Sequence, residues 1–312
     1  FDISRSNPYS CTFVLMSKTP QNNNSQKNLP IGIFDSGVGG LTVYRALHNR
    51  LPNEHFIYLG DTARVPYGTK SLATVERYAI ENSQFLASLG IKMLVVACNT
   101  ASALALPKIR EAVGLEVVGV IGPGGRRAVD LTSGIDNPTI GVIATEATVQ
   151  SGAYTEAIRL ASETAMVVAA ACPLFVPLAE ESWTREPETY SIAKRYLQTM
   201  IDNKVDALVL GCTHYPILRE VIQETVGPDV KLIDSGEATA DEVAEKLKRF
   251  GLESDRQIRS GERRLCDDLD HFYVTDAADR FSRVAERFLG SPPAKLEAIE
   301  LWGSDNLSGK KG

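Results

Sequence analysis

From Leu29 onward, short apolar runs alternate with longer stretches in which apolar residues recur every three or four positions. The runs IGIF, HFIYL, MLVVA, EVVGV, TIGVI, AMVVAA, ALVLG and VKLI are short and mostly rich in β-branched side chains, a pattern that predicts strands. Between them lie segments such as SLATVERYAIENSQFLASLG, where Leu72, Val75, Tyr78, Ala79, Phe85, Leu86 and Leu89 share one side of a helix. Strands that are apolar throughout, separated by helices, predict an α/β fold of parallel sheets covered on both faces. In such sheets ligands collect beyond the carboxyl ends of the strands. The strand tips are therefore the places to look for chemistry.

One tip stands out. In MLVVACNTAS, Met93 to Ser102, a buried-looking strand ends on a thiol, an amide and a hydroxyl. ALVLGCTHYP, Ala207 to Pro216, repeats the arrangement with its cysteine in the same register, 114 positions later (98 to 212). IGIFDSGVGG from Ile31 is matched by IGVIATEATV from Ile140, 109 positions later (31 to 140). Two near-equal offsets predict two similar, pseudo-symmetric α/β units, each ending an interior strand with a thiol. A lone cysteine at a strand end is ordinarily a small packing residue. A twin in matched register, with polar neighbours at both tips, points to chemistry instead.

If the units face each other, Cys98 and Cys212 approach one ligand from opposite sides. One thiolate can then take a proton from a carbon centre while the other thiol delivers one to the opposite face. Only about 3% of an unperturbed thiol is ionised at pH 7, so the anion needs support. A helix N-terminus supplies it, and Asn99 or Thr100 and Thr213 are suitable capping residues. DSGVGG (Asp35 to Gly40) and PYGTK (Pro66 to Lys70) add backbone N–H groups and hydroxyls suited to carboxylates. A small amino acid with one or two carboxylates fits these loops.

Length, charge and cysteine usage narrow the class. At 312 residues the chain has room for one large or two medium domains. A net charge of −6 lacks the basic excess of a nucleic-acid footprint. The five cysteines, Cys11, Cys98, Cys172, Cys212 and Cys266, form no C-x-x-C pair, which points to a reducing cytoplasm rather than a disulfide framework. AMVVAAACPLFVPLA, broken by Pro173 and Pro177, is too short to span a membrane. Residues 1–28 read as a disordered or added extension, with Met16 as an alternative start. GVGGLT departs from the dinucleotide pattern G-x-G-x-x-G at Thr42, and no G-K-[ST] follows for a P-loop. A metal site built from Cys98, Cys212 and His214 has no clear fourth ligand, so none is expected.

GIFDSGVGG, YLGDTARVPYG, VVACNTAS, CPLFVPLAEE and LGCTHYP, in that order, closely resemble the glutamate racemase family, within the cofactor-independent aspartate/glutamate racemase superfamily. The resemblance runs from about Pro30 to Leu301 and includes HFYVTDAADRF. It implies interconversion of L- and D-glutamate without a cofactor, supplying D-glutamate for bacterial peptidoglycan, by a homodimer with its active site between two α/β domains. The expected boundaries are 29–121 plus 234–312 for the first domain and 122–233 for the second. Cys98 and Cys212 match the catalytic acid/base pair, acting on D- and L-glutamate respectively. Asp35 and His214 match the groups that assist them, and Glu180, beside Glu181, matches a further acidic residue. Asp35, Ser36, Tyr67, Gly68, Asn99, Thr100, Thr213 and His214 match substrate contacts. Aspartate racemase is the nearest alternative, although its members generally resemble GCTE where this chain has GCTH. A non-catalytic amino-acid-binding module is the alternative from another class, and retention of both cysteines argues against it.

Overall fold

The computed structural model describes residues 26–258 and 263–301. Most of the expected N-terminal extension, residues 1–25 with Cys11, lies outside the described residues. Each of the eight apolar runs contains a strand: β1 (Ile31–Asp35), β2 (Phe56–Gly60), β3 (Met93–Val96), β4 (Val117–Gly119), β5 (Thr139–Ala144), β6 (Met166–Ala171), β7 (Ala207–Gly211) and β8 (Lys231–Asp234). Two more, β9 (His271–Val274) and β10 (Leu296–Ala298), were not predicted. In β9 the apolar Phe272 and Val274 alternate with half-buried His271 and Tyr273, and β10 is three residues whose Glu297 and Ala298 are exposed. Backbone pairing with β9 makes β10 a strand, and that pairing leaves no hydrophobic signature.

These strands form two sheets, ordered β10-β9-β2-β1-β3-β4 and β6-β5-β7-β8, with every pairing parallel. The order β2-β1-β3-β4 in the first recurs as β6-β5-β7-β8 in the second, so β1 corresponds to β5 and β3 to β7. The duplicated motifs therefore occupy equivalent strands. β1, β3 and β7 are wholly buried, as unbroken apolar runs in covered parallel sheets should be. β6 departs from that expectation: as an edge strand with a single neighbour it is partly exposed along its length, with Met166 58% exposed. The helix Leu72–Ser88 buries Val75, Ala79 and Leu86, whereas Leu72 and Leu89 at the ends of the predicted stripe are exposed.

After β8 the chain returns to the first sheet through the helix Ser235–Phe250. Asp234 caps it by accepting from the Gly236 N–H at 2.7 Å, and Gly251 ends it in the left-handed region at φ +64°. This helix packs against both Leu41–Arg50 and Ile121–Leu131, reinforced by the Arg50–Asp241 ion pair at 2.8 Å and by Arg126 with Glu242. The largest buried cluster runs from Ile31, Tyr44 and Phe272 to Leu210, Cys212 and Tyr215, so one core joins the two sheets. Burying each large aliphatic or aromatic side chain there contributes about 1.5–3 kcal/mol.

A buried ion pair ties the base of the first sheet. Lys92, just before β3, donates to Glu54, to the Leu252 carbonyl at 2.9 Å and to the Lys27 carbonyl at 2.6 Å; Glu54 also accepts from the Ser254 N–H at 2.9 Å. Both side chains are almost inaccessible to water. Lys92→Ala would leave a buried, unpaired carboxylate and should cost about 3–5 kcal/mol in urea unfolding. A loss under about 1 kcal/mol, the range of exposed pairs, would mean that water reaches Glu54.

Candidate active site

Cys98 follows β3 and is itself the N-cap of the helix Asn99–Leu104. Its Sγ accepts from the Ala101 N–H at 3.4 Å, so the cap is the thiol and not the amide or hydroxyl after it. The expected stabilisation of the anion is nevertheless outweighed. Burial first, then the neighbouring Asp35 carboxyl, push Cys98 up to about 12, against smaller lowering effects from Ser36 and the Ala101 N–H. Cys212 adds slightly to that rise, as two thiols facing one pocket would. Asp35, the last residue of β1, is fully buried; Oδ2 accepts from the Gly37 N–H at 2.9 Å and Oδ1 has no partner. Burial raises its pKa, opposed by the Gly40 N–H and by the charge of His214. The following helix Leu41–Arg50 is capped at Gly40, so Asp35 serves the turn and not that helix.

The other side is built differently. Cys212 follows β7 but leads into a 3-10 turn, Tyr215–Leu218, and not directly into an α-helix. Its Sγ lies 3.8 Å from His214 Nδ1, and His214 Nε2 lies 3.1 Å from Glu180 Oε1. Burial opposes a charge on His214, but hydrogen bonds to Cys212 and Glu180 prevail and push it up to about 10. Glu180 is held low: burial would raise it, and His214 and Arg280 outweigh that. Glu180, and not Glu181 beside it, reaches His214.

The two sides meet closely. A Cβ on Gly39 would lie 2.3 Å from Thr213 Oγ1 and 2.4 Å from His214 Nδ1, so only glycine fits there. Thr42 Oγ1 donates to the Thr213 carbonyl at 2.8 Å. Thr100 Oγ1 lies 3.0 Å from Thr145 Oγ1 and 3.2 Å from Thr148 Oγ1, and the latter two are 3.0 Å apart. Gly68 rests on Thr145, whose Cβ would be 2.8 Å from any added methyl. Asn99 Oδ1 accepts from the Tyr154 hydroxyl at 2.7 Å, while Asn99 Nδ2 is buried without a partner.

Tyr67 contributes backbone and ring to this loop rather than its hydroxyl, which donates to Asp61 in a buried network with Asn82 and Arg64. Asp61 also accepts from Thr275 at 3.0 Å, anchoring the loop to the segment after β9. Cys172 and Cys266 are buried in the core, and among the described residues no group of three or more His, Cys, Asp or Glu side chains could hold a metal ion. Thr145, Thr148 and Tyr154 were missed from sequence. The signal was TEATVQSGAY after β5, in the place where DSGVGG follows β1.

Paired thiols at equivalent strand tips lie buried beside hydrogen-bonding groups that have no protein partner, Asp35 Oδ1 and Asn99 Nδ2. The sequence model of the Asp/Glu/Hydantoin racemase family matches residues 31–243. The chain is 50% identical to a glutamate racemase of Geobacter metallireducens, over 87% of this chain and 96% of that one. It is 46% identical to one of Syntrophus aciditrophicus, over 90% and 100%. Among solved structures it resembles a glutamate racemase isoform from Bacillus anthracis (TM-score 0.81, 35% identity, 88% and 98% covered). It also resembles the Francisella tularensis glutamate racemase in complex with D-glutamate (TM-score 0.78, 39% identity, 88% and 98% covered). The chain belongs to the glutamate racemase family and is an amino-acid racemase, an isomerase.

Tyr154 fixes which end of the Asn99 amide faces the pocket. With Oδ1 held by the phenol, Nδ2 presents two donors, the correct polarity for a carboxylate. Tyr154→Phe should raise the KM of racemisation about tenfold, the effect of losing roughly one buried hydrogen bond, while leaving kcat within a few-fold. An unchanged KM would mean that Asn99 is oriented without Tyr154.

Proposed function

We propose that the protein interconverts L- and D-glutamate without a cofactor, using Cys98 and Cys212 as opposed acid and base. The observation that carries this reading is the pair of buried thiols at equivalent strand tips, each with its own auxiliary groups. In the L-to-D direction the Cys212 thiolate removes the α-proton, with cationic His214 beside it. Cys98, protonated at rest, donates its proton to the opposite face of the carbanion. The proton leaves on Cys212 and the product departs inverted. In the reverse direction the roles exchange. Burial and Asp35, which push Cys98 up to about 12 against an ordinary 9.0, disfavour its thiolate by roughly 4 kcal/mol. The substrate ammonium offsets that cost when D-glutamate is bound.

The substrate carboxylates are held by uncharged donors: Asn99 Nδ2, the Thr100, Thr145 and Thr148 hydroxyls, Thr213, Ser36 and the backbone of Tyr67 and Gly68. Fixed dipoles of this kind stabilise charge that develops in the transition state without reorganising. Residues 29–121 with 234–312 and residues 122–233 act as two domains that close on the substrate. The protein works as a homodimer in the cytoplasm, and its D-glutamate feeds peptidoglycan synthesis. No helix among the described residues is long and apolar enough to cross a membrane.

Incubation with L-glutamate in D₂O, with no added cofactor, should give α-proton exchange by NMR together with loss of optical rotation. Absence of both changes would sink the racemase reading, and faster turnover of aspartate would sink the substrate assignment. Cys98→Ser and Cys212→Ser should each lower kcat by about 10²–10⁴-fold, the usual contribution of a general acid or base. Full activity in either would rule out the two-thiol mechanism.

The charge on His214 gives a pH test. His214 keeps its proton up to about 10, so the alkaline limb of kcat/KM should fall as pH passes that value. Glu180→Gln removes an anion that favours the imidazolium, so the limb should move to lower pH, by about 1 unit or more. A limb that stays in place, or moves up, would separate Glu180 from His214.

A further inference from the structure

The helix Ala278–Leu289, which begins within HFYVTDAADRF, takes no part in the chemistry described so far. It follows β9 in the first sheet, yet three of its side chains reach the Cys212 machinery in the second. Arg280 Nη2 lies 2.9 Å from Glu180 Oε2, and Arg287 Nη1 donates to the Glu180 carbonyl at 3.1 Å. The Phe288 ring stands edge-on to the His214 imidazole, with centroids 6.3 Å apart at 87°. Arg280 and Arg287, seven residues apart, project from one side of the helix. A chain of contacts thus runs from the surface inward: Arg280 to Glu180, Glu180 to His214, His214 to Cys212.

We propose that Arg280 is a positioning residue for the Cys212 half of the reaction, occupying Glu180 Oε2 so that Oε1 stays aimed at His214. The inference rests on the two-thiol racemase reading above. Glu180 is the last residue of the helix Phe175–Glu180 and its side chain is 23% exposed, so an unheld carboxylate could rotate into water. The Arg280 side chain is itself 60% exposed, so this pair adds little to stability. Its effect is geometric: a planar guanidinium engages one oxygen and leaves the other in a fixed direction. Arg287 secures the backbone of the same residue. Cys98, whose neighbours are Asp35, Ser36 and the Ala101 N–H, has no hydrogen bond to this helix. Arg280 therefore acts directly on the Cys212 face alone, and reaches Cys98 only at second hand, through the charge of His214 on Asp35.

That asymmetry can be measured, although not from kcat/KM alone. Enantiomers have equal free energy, so the equilibrium constant is unity and kcat/KM must stay equal in the two directions in every variant. The isotope effects need not. Arg280→Ala should lower kcat/KM by roughly 10- to 100-fold for both enantiomers, the scale of a small misplacement of a catalytic group. The α-deuterium effect on kcat/KM should rise for L-[2-²H]glutamate, whose proton Cys212 takes. It should fall for D-[2-²H]glutamate, because transfer at Cys98 becomes less rate-limiting. Arg280→Lys, which retains the cation but not the planar guanidinium, should recover only part of the rate, and the thermal midpoint of both variants should stay at the wild-type value. Isotope effects that are unchanged, that rise together or that shift in the opposite sense would overturn the proposal. Absence of α-proton exchange in the wild type would instead overturn the racemase reading itself.

Discussion

The site depends on an approach so close that a single methyl group would block it. Gly39, in the turn after β1, lies where a Cβ would sit within 2.5 Å of Thr213 and of two atoms of the His214 ring. Through that contact the β1 turn of the first sheet touches the β7 tip of the second, and Thr42 donates across the same seam to the Thr213 carbonyl. Everything else follows from the sheets meeting there at that distance. Cys98 can feel Cys212, Asp35 can feel the charge on His214, and Tyr154 can reach Asn99. The run DSGVGG looks like a phosphate loop. Its glycines instead make room for protein: Gly39 for the opposite strand tip and Gly40 for Asp35 and the Tyr58 hydroxyl.

Duplicated topology has not produced duplicated electrostatics. β3 and β7 are equivalent strands and both end in cysteine, but their surroundings differ in sign. Beside Cys98 stands a fully buried carboxyl with one unpaired oxygen, and the thiol is held protonated. Beside Cys212 stands an imidazole whose positive charge is secured by Glu180 and, behind it, Arg280. Backbone geometry is inherited from the repeat, whereas side-chain charge is set by elements that break it. Ala278–Leu289, after β9 and beyond the repeat, is the chief of these.

This division explains what could be read from the sequence. Unbroken apolar runs such as MLVV and ALVLG announce themselves because burial on both faces leaves them no polar positions. The matching registers of Cys98 and Cys212 were visible for the same reason. β9, with only Phe272 and Val274 buried in four residues, and β10, held by its pairing with β9, left no apolar run to read. The pKa of Cys98 was misjudged because capping geometry is local, while desolvation depends on how deeply both sheets bury the tip. Thr145, Thr148 and Tyr154 lie in the repeat's counterpart of DSGVGG, but their contacts with Thr100 and Asn99 appear only once the two sheets are set together. Arg280 lies 100 positions from Glu180 and 68 from Cys212, a relation that no spacing rule encodes.

Unlike thiols are compatible with a reaction whose ends are equal in energy. The free enantiomers are mirror images, so the protein cannot change the overall equilibrium, but its own two protonation states are under no such constraint. Burial and Asp35 hold the Cys98 proton, and the imidazolium lies next to Cys212. On the two-thiol reading proposed above, that state suits the L enantiomer. On the same reading the D enantiomer needs the opposite state, with a Cys98 anion beside Asp35, and the substrate ammonium would supply the missing positive charge. The unpaired Oδ1 of Asp35, buried beside that thiol, is an acceptor that such a cation could use. On that reading, the asymmetry of the charged groups couples substrate binding to protonation on the Cys98 face. On the Cys212 face, the His214–Glu180–Arg280 chain supplies positive charge from the protein.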